Sequence, residues 1–281
     1  MRYFTQEYGK PPNDVEREYQ TLVESLDHNI PPKHLDHNLL IATWNIREFG
    51  GLTEKWQASS RDSPKRDIRA LRCVTEIVSR FDVIALQEVT GTLKALRHML
   101  KALGPHWGLL LTDVTKGDVG GGERMAFVYD TRKVKPSGLA CELVVPTDEK
   151  DVKEGAFDRQ FARTPYAASF ISKGWTFILV TVHILYGGGT KQDAKKRIPE
   201  LRALGKWLGE WARNANSWHH NLIALGDFNI GRNDDELYRA FTGIGDRDRK
   251  AVLHTPDDLN EVPRTIFHNP GNTETYTHYD Q

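Results

Sequence analysis

Three apolar runs in this chain end on polar side chains that a hydrophobic core would reject. LLIATWN (39–45) ends at Asn45, DVIALQEV (82–89) carries Gln87 and Glu88, and NLIALGDFN (221–229) ends at Asp227 and Asn229. A fourth run, WTFILVTVHI (175–184), holds His183 in an otherwise apolar stretch. Unbroken apolar runs of this length read as strands buried on both faces. A buried amide, carboxylate or imidazole costs free energy unless it is bonded. Each exception alone has an ordinary explanation: Gly226-Asp227 as a turn, Glu88 as a solvated strand end, His183 as a satisfied core histidine. Their coincidence at strand ends, where α/β folds gather their sites, points to a single functional site.

The segments between these runs set the fold class. Val15, Tyr19, Leu22, Val23 and Leu26 have helical spacing, with Asn13 as candidate cap and Glu16 three residues on, and Pro31-Pro32 end that helix. Ser63 reads as the cap of a second helix with Pro64 in its first position and Ile68, Leu71, Val74 and Val78 as its inner stripe. Leu93, Leu96, Leu100 and Leu103 mark a third, closed by Gly104-Pro105. WGLLLTDV, ERMAFVYD, LACELVV, PYAASFIS and WTFILVTVHI then follow as strands with no helix between them, and Ser172-Lys173-Gly174 reads as a hairpin. A helix over about 192–214, the strand at 221–228 and a short helix around 237–241 complete the order. Strand-helix units, then a meander, then another strand-helix unit predict two mixed sheets packed face to face with helices outside, a four-layer α/β sandwich. The expected organisation is a helical arm over residues 1–36 and one domain over 37–281.

Lys plus Arg and Asp plus Glu number 38 each among the 281 residues. No overall positive field draws in a polyanion, so any nucleic-acid contact has to be local. The two basic runs, DSPKRDIRALR (62–72) and TKQDAKKR (190–197), read as solvated helix faces for most of their members, with any near the site mouth suited to backbone contacts. The best apolar run, FILVTVHIL, is about half a membrane span, and the N-terminus shows no apolar stretch. The expectation is a cytoplasmic protein with no membrane partner. Two cysteines are too few for a disulfide framework or a thiolate metal site. Carboxylate and amide oxygens without thiolates suit a hard cation, Mg²⁺ with Mn²⁺ as the alternative, and Glu88 is the natural first ligand. A histidine that titrates near neutrality completes the groups needed to hydrolyse a phosphate ester.

TWNI (43–46), LQEV (86–89), VTVH (180–183) and GDFN (226–229), in this order, resemble the endonuclease/exonuclease/phosphatase superfamily, and its deoxyribonuclease I branch most of all. GERMAFVYD (122–130), FARTPYAASF (161–170) and THYDQ (277–281) are similar to further segments of that branch. The resemblance implies that Glu88 binds the metal, with Asn45 beside it orienting a water or ligand. It implies that Asp227 and Asn229 hold the attacking water and the scissile phosphate. Glu123 would orient the His183 imidazole, and Arg163 would contact substrate phosphate. Asp280 matches the aspartate that orients a second catalytic histidine, normally found in an SDH motif. No SDH occurs in this sequence, so the deoxyribonuclease I-like sandwich is expected to lack that C-terminal strand, and the natural protein is expected to continue past Gln281. The activity implied is a Mg²⁺-dependent phosphodiesterase, a DNA endonuclease of low sequence specificity. The alternatives are a phosphatase or lipid phosphodiesterase of the same superfamily, or a nucleic-acid-binding module impaired in catalysis.

Overall fold

In a computed structural model, residues 2–115, 121–143, 161, 163–186, 191–214, 221–230, 236–247 and 253–256 are described, with the backbone alone for 191–196. In chain order the helices are α1 (Arg2–Tyr8), α2 (Asn13–Asn29), α3 (Ile68–Ser79), α4 (Lys94–Leu103), α5 (Lys191–Arg213) and α6 (Glu236–Thr242). The strands are β1 (Ile41–Asn45), β2 (Val83–Thr90), β3 (Trp107–Leu111), β4 (Glu123–Asp130), β5 (Lys135–Glu142), β6 (Tyr166–Ser172), β7 (Trp175–His183) and β8 (Leu222–Asp227). They form two four-stranded sheets, ordered β1-β2-β4-β3 and β5-β6-β7-β8. Two compact units result: Met1–Ala42, Ile46–Val114 and Gly122–Lys135 form the first, and the described residues among 43–45, 115–121 and 136–281 the second. Among the described residues no helix is long and apolar enough to cross a membrane.

In the first unit β2 and β3 both run antiparallel to β4, and Val83, Ile84, Ala85 and Leu86 face Tyr129, Val128, Phe127 and Ala126. The strand β2 is buried nearly throughout, as its unbroken apolar run predicts. The strand β1 is not: all five of its residues are half-buried. The reason is position, because among the described residues β1 stands at the end of the strand order, with β2 as its one neighbour.

Helix starts also depart from the local pattern. Asp67, not Ser63, caps α3, its side chain accepting a hydrogen bond from the Ala70 amide at 2.9 Å. Pro64 precedes the helix and offers its carbonyl to the Thr53 hydroxyl at 2.7 Å. Pro12 stands at the N-cap of α2, so Asn13 is the first helical residue and makes no side-chain cap. The heptad-like spacing in 13–29 nevertheless gives the predicted helix, with Val15 and Tyr19 buried.

The N-terminal helices fold as part of the first unit. Phe4 is fully buried, the Trp56 indole donates to the Tyr8 carbonyl at 3.1 Å, and Tyr3 and Tyr8 both place their hydroxyls on Nδ1 of His98. The Tyr19 hydroxyl donates to Glu76 at 2.6 Å while the Arg72 guanidinium lies 3.6 Å from the Tyr19 ring centroid and reaches Glu16 at 2.7 Å. Burial and the neighbouring Glu76 raise the Tyr19 phenol well above its ordinary value, which keeps it a donor.

The second unit is built on a parallel seam. The strand β7 pairs antiparallel with β6 through a two-residue turn at Lys173-Gly174, both with positive φ (52° and 83°), the geometry that right-twisted hairpins favour. On its other side β7 runs parallel to β8, with Ile178 facing Leu222 and His183 facing Asp227. Ile178, Val180 and Val182 occupy alternate positions of β7 and join Leu201, Leu204 and Leu208 of α5 and Phe228 and Phe241 in one buried cluster. Each fully buried leucine or phenylalanine there contributes about 2 kcal/mol through the apolar area it removes from water.

A buried charge cluster sits where β2 begins and β4 ends. The Asp82 carboxylate is fully buried, accepts from the Leu40 amide at 2.7 Å and pairs with Lys133 at 3.0 Å and Lys33 at 3.4 Å. The Lys133 side chain is 2% exposed, so removing Asp82 strands a buried ammonium. Asp82→Ala is expected to lower the unfolding free energy in urea by about 3–5 kcal/mol, and a loss under about 1 kcal/mol would show that Lys133 is satisfied without it.

Candidate functional site

The register of β7 on β8 assembles the polar groups of the second unit. Paired residues of a parallel ladder present side chains on the same face, so His183 and Asp227 are brought side by side, with Nε2 3.7 Å from Oδ2. Both are buried, at 5% and 6% exposure. Gly226 makes the close pairing possible: its φ is 144°, and a Cβ there would stand 2.1 Å from the Val182 carbonyl oxygen. Asn45, at the end of β1, donates from Nδ2 to Asp227 Oδ2 at 2.9 Å. The other carboxylate oxygen, Oδ1, accepts from the Asn229 backbone amide at 2.9 Å. Two donors, one on each oxygen, fix the plane of the carboxylate.

Asn229 turns the chain sharply after β8. Its φ of 50° is left-handed, a conformation that asparagine tolerates better than most residues. Its Nδ2 donates to the Ile184 carbonyl at 2.6 Å, just beyond His183, and its own carbonyl accepts from Arg197 Nη1 at 2.6 Å. Of the residues singled out in the sequence, Asn45, Asp227 and Asn229 are thus joined by hydrogen bonds, with the His183 imidazole beside Asp227.

The carboxylates of the first unit form a second group. The β2–β4 register shifts between Leu86 and Val89, and Glu88 lies in that shift with φ 58°. A bulge with a left-handed non-glycine residue turns a side chain out of the ladder, and such strain gathers at functional sites. The loop that follows β1 holds the bulge in place. The Phe49 amide donates to the Glu88 carbonyl at 2.8 Å and the Glu48 amide to Glu88 Oε2 at 3.1 Å. Arg47 and Glu48 are themselves left-handed, at φ 52° and 49°, and Arg66 bridges the Ile46 and Arg47 carbonyls from Nη2 at 2.9 and 2.5 Å. Glu123, the first residue of β4, is opposite Thr90 and presents a carboxylate oxygen within 4.8 Å of one on Glu88. Two oxygen donors with no thiolate nearby fit a hard divalent cation.

Arg163 is half-buried and interacts electrostatically with Glu200 of α5, as does Arg197. Asp280 lies outside the described residues. Two members of the basic runs are not on a solvated face. Arg197 is 7% exposed and Arg72 likewise. In the first run Lys65 donates to the Ser59 and Ser60 carbonyls, Arg66 to those of Ile46 and Arg47, Arg69 to Glu18 and Arg72 to Glu16. The sequence reading missed Arg197 and Glu200 as site neighbours, although a signal was present: Arg197, Leu201, Leu204 and Leu208 fall at i, i+4, i+7 and i+11, on the apolar stripe of α5.

Over residues 42–280 the chain matches the family described as Endonuclease/Exonuclease/phosphatase, and it belongs to that family. The two sheets flanked by helices are the α/β sandwich class expected from the sequence. Similar solved structures include a mannosyl-6-phosphatase of Bacteroides thetaiotaomicron, 20% identical over 74% of this chain and 71% of that one, TM-score 0.49. The catalytic domain of human Nocturnin, with a bound sulfate anion, is 17% identical over 73% and 69%, TM-score 0.48. A humanized D. rerio TDP2 is 18% identical over 74% and 70%, TM-score 0.44. No curated protein matches the chain. Membership rests on the family match, not on these structural likenesses.

Burial raises the Glu200 carboxyl to about 7, against the opposing pull of Arg163 and Arg197. A carboxyl whose folded value lies above its unfolded one favours folding while protonated, and that contribution is lost as pH rises from about 4.5 through about 7. Glu200→Gln is expected to flatten the fall in thermal stability between pH 5 and 8 that the parent protein shows; identical pH profiles for the two would contradict the assignment.

Proposed function

We propose that this chain is a divalent-metal-dependent phosphodiesterase that cleaves the backbone of DNA with low sequence specificity. The observation that carries the reading is the Asp227 carboxylate, hydrogen-bonded by Asn45 and by the Asn229 amide, with His183 Nε2 3.7 Å away. Asp227 is oriented through both its oxygens, each of which retains acceptor capacity for a water. In this role it takes a proton from that water as the new oxygen–phosphorus bond forms and the ester bond to the leaving oxygen breaks, that oxygen taking up a proton from solvent water. His183 beside it donates to a non-bridging phosphoryl oxygen and opposes the charge that grows there. Asn45 keeps the carboxylate turned toward the reacting water. Arg163 supplies a guanidinium for the phosphate oxygens, a planar fork suited to them.

Glu88 and Glu123 would hold the cation, Mg²⁺ or Mn²⁺, whose chemistry there is to stabilise charge on the phosphoryl oxygens and to make water a better nucleophile. The pairing of Glu123 with His183, drawn from the family resemblance, belongs to this proposal. Asp280 is proposed as a further orienting carboxylate on the same grounds.

A second reading, a hydrolase of small phosphomonoesters, is favoured by one observation. Every cation of the 62–72 run has a partner within the chain, which leaves that run little to offer an extended polyanion. Supercoiled plasmid, p-nitrophenyl phosphate, inositol phosphates and sphingomyelin, each with Mg²⁺ or Mn²⁺ and with EDTA controls, separate the two. Plasmid nicking that Asp227→Ala reduces by about 100-fold or more supports the nuclease reading. Metal-dependent cleavage of a monoester alone moves the assignment to the second reading, and cleavage of nothing in the panel would remove the hydrolase reading for this chain.

A further inference from the structure

Arg197 comes from a run of basic residues that looks like a solvated helix face, yet its side chain is 7% exposed. A buried guanidinium requires partners, and the ones it has are specific. Its Nη1 donates to the Asn229 carbonyl at 2.6 Å, and its Cζ lies 5.5 Å from the ring centroid of Tyr186, three residues after His183. The planar guanidinium can bond a carbonyl in its own plane and lie against an aromatic ring, which a lysine ammonium does less well. The same side chain therefore touches the turn after β8 and the segment after β7.

The turn it touches is held on three sides. The Asn229 amide donates to Asp227 Oδ1 at 2.9 Å, its side chain to the Ile184 carbonyl at 2.6 Å, and its carbonyl takes the Arg197 bond. Asn229 itself is left-handed at φ 50°, a conformation that persists where surrounding structure imposes it. Its amide is also one of the two donors that orient Asp227. A change at Arg197 is thus transmitted to the Asp227 carboxylate through the backbone of a single residue, Asn229.

We propose that Arg197 is a positioning residue, a buried clamp from α5 that holds the Asn229 turn in its left-handed form and through it sets the orientation of Asp227. The clamp acts on the chemical step and not on substrate capture, because the residue it bonds, Asn229, is the one whose amide orients Asp227. The catalytic part of the inference rests on the hydrolase reading above; the clamp itself does not.

The test combines two readouts on Arg197→Gln and Arg197→Lys. Backbone amide exchange followed by NMR is expected to show Asn229 exchanging about tenfold faster or more in Arg197→Gln, with Leu225 in β8 unchanged and part of the protection restored in Arg197→Lys. In the plasmid assay kcat is expected to fall about 100-fold in Arg197→Gln with KM within about twofold, again partly recovered in Arg197→Lys. Unchanged exchange at Asn229 overturns the clamp. Faster exchange with unchanged kcat overturns its part in catalysis. An inactive parent protein overturns the hydrolase reading, and the exchange data still decide the clamp. Should Arg197→Gln fail to fold, Arg197→Lys carries both measurements.

Discussion

The parallel seam between β7 and β8 is the constraint on which the rest of the second unit depends. Its register puts His183 opposite Asp227, and a slip of either strand by one residue would turn one of the two side chains to the other face. The seam closes only because position 226 has no side chain, since a Cβ would overlap the Val182 carbonyl. The alternation that aims Asp227 at His183 aims its neighbour Phe228 into the cluster with Phe241, their ring centroids 4.7 Å apart. Packing and chemistry are thus fixed by one pairing, and the energy that aligns the polar groups comes from the apolar residues on the opposite face.

The first unit reaches a comparable result by different means. No parallel seam presents Glu88; a bulge does, with the backbone held in a left-handed conformation by amides of the loop after β1. Arg47 and Glu48 are left-handed too, and the half-buried Arg66 donates to the Ile46 and Arg47 carbonyls while its guanidinium stands 5.1 Å from the Phe49 ring centroid. Gly50 completes the loop, because a Cβ there would stand 2.3 Å from the Thr90 carbonyl oxygen. Three strained residues in one place cost free energy that a purely structural loop would have no reason to retain. The burial of Phe49 and Leu52 at the base of that loop is what can offset it.

Much of this was legible in the sequence, and the reasons for success and failure are physical. The strand at 123–130 spans the run ERMAFVYD that marks it in the sequence, and the turn at Lys173-Gly174 follows from a requirement for positive φ that glycine meets. The polar residues at strand ends were legible because a buried polar group has few uses. Asp67 was not, because Ser63-Pro64 carries the same local start signal. What decides between them is a partner: the Asp67 side chain reaches both the Ala70 and the Ala58 amides, at 2.9 and 3.0 Å. The half-burial of β1 depends on strand order, which no local pattern encodes. Arg197 was misread because composition was weighed above phase: the charge of its run suggested solvent, while its place on the stripe of Leu201, Leu204 and Leu208 put it inside.

The central claim is that the oxygen donors of the first unit hold a divalent cation that serves phosphoester hydrolysis, and metal binding tests it without reference to any substrate. Mn²⁺ titrated into the parent protein and followed by electron paramagnetic resonance should show a saturable site. In Glu88→Gln the affinity of that site should fall at least about tenfold, with the circular dichroism spectrum unchanged. Equal Mn²⁺ affinity in the two proteins would contradict the account.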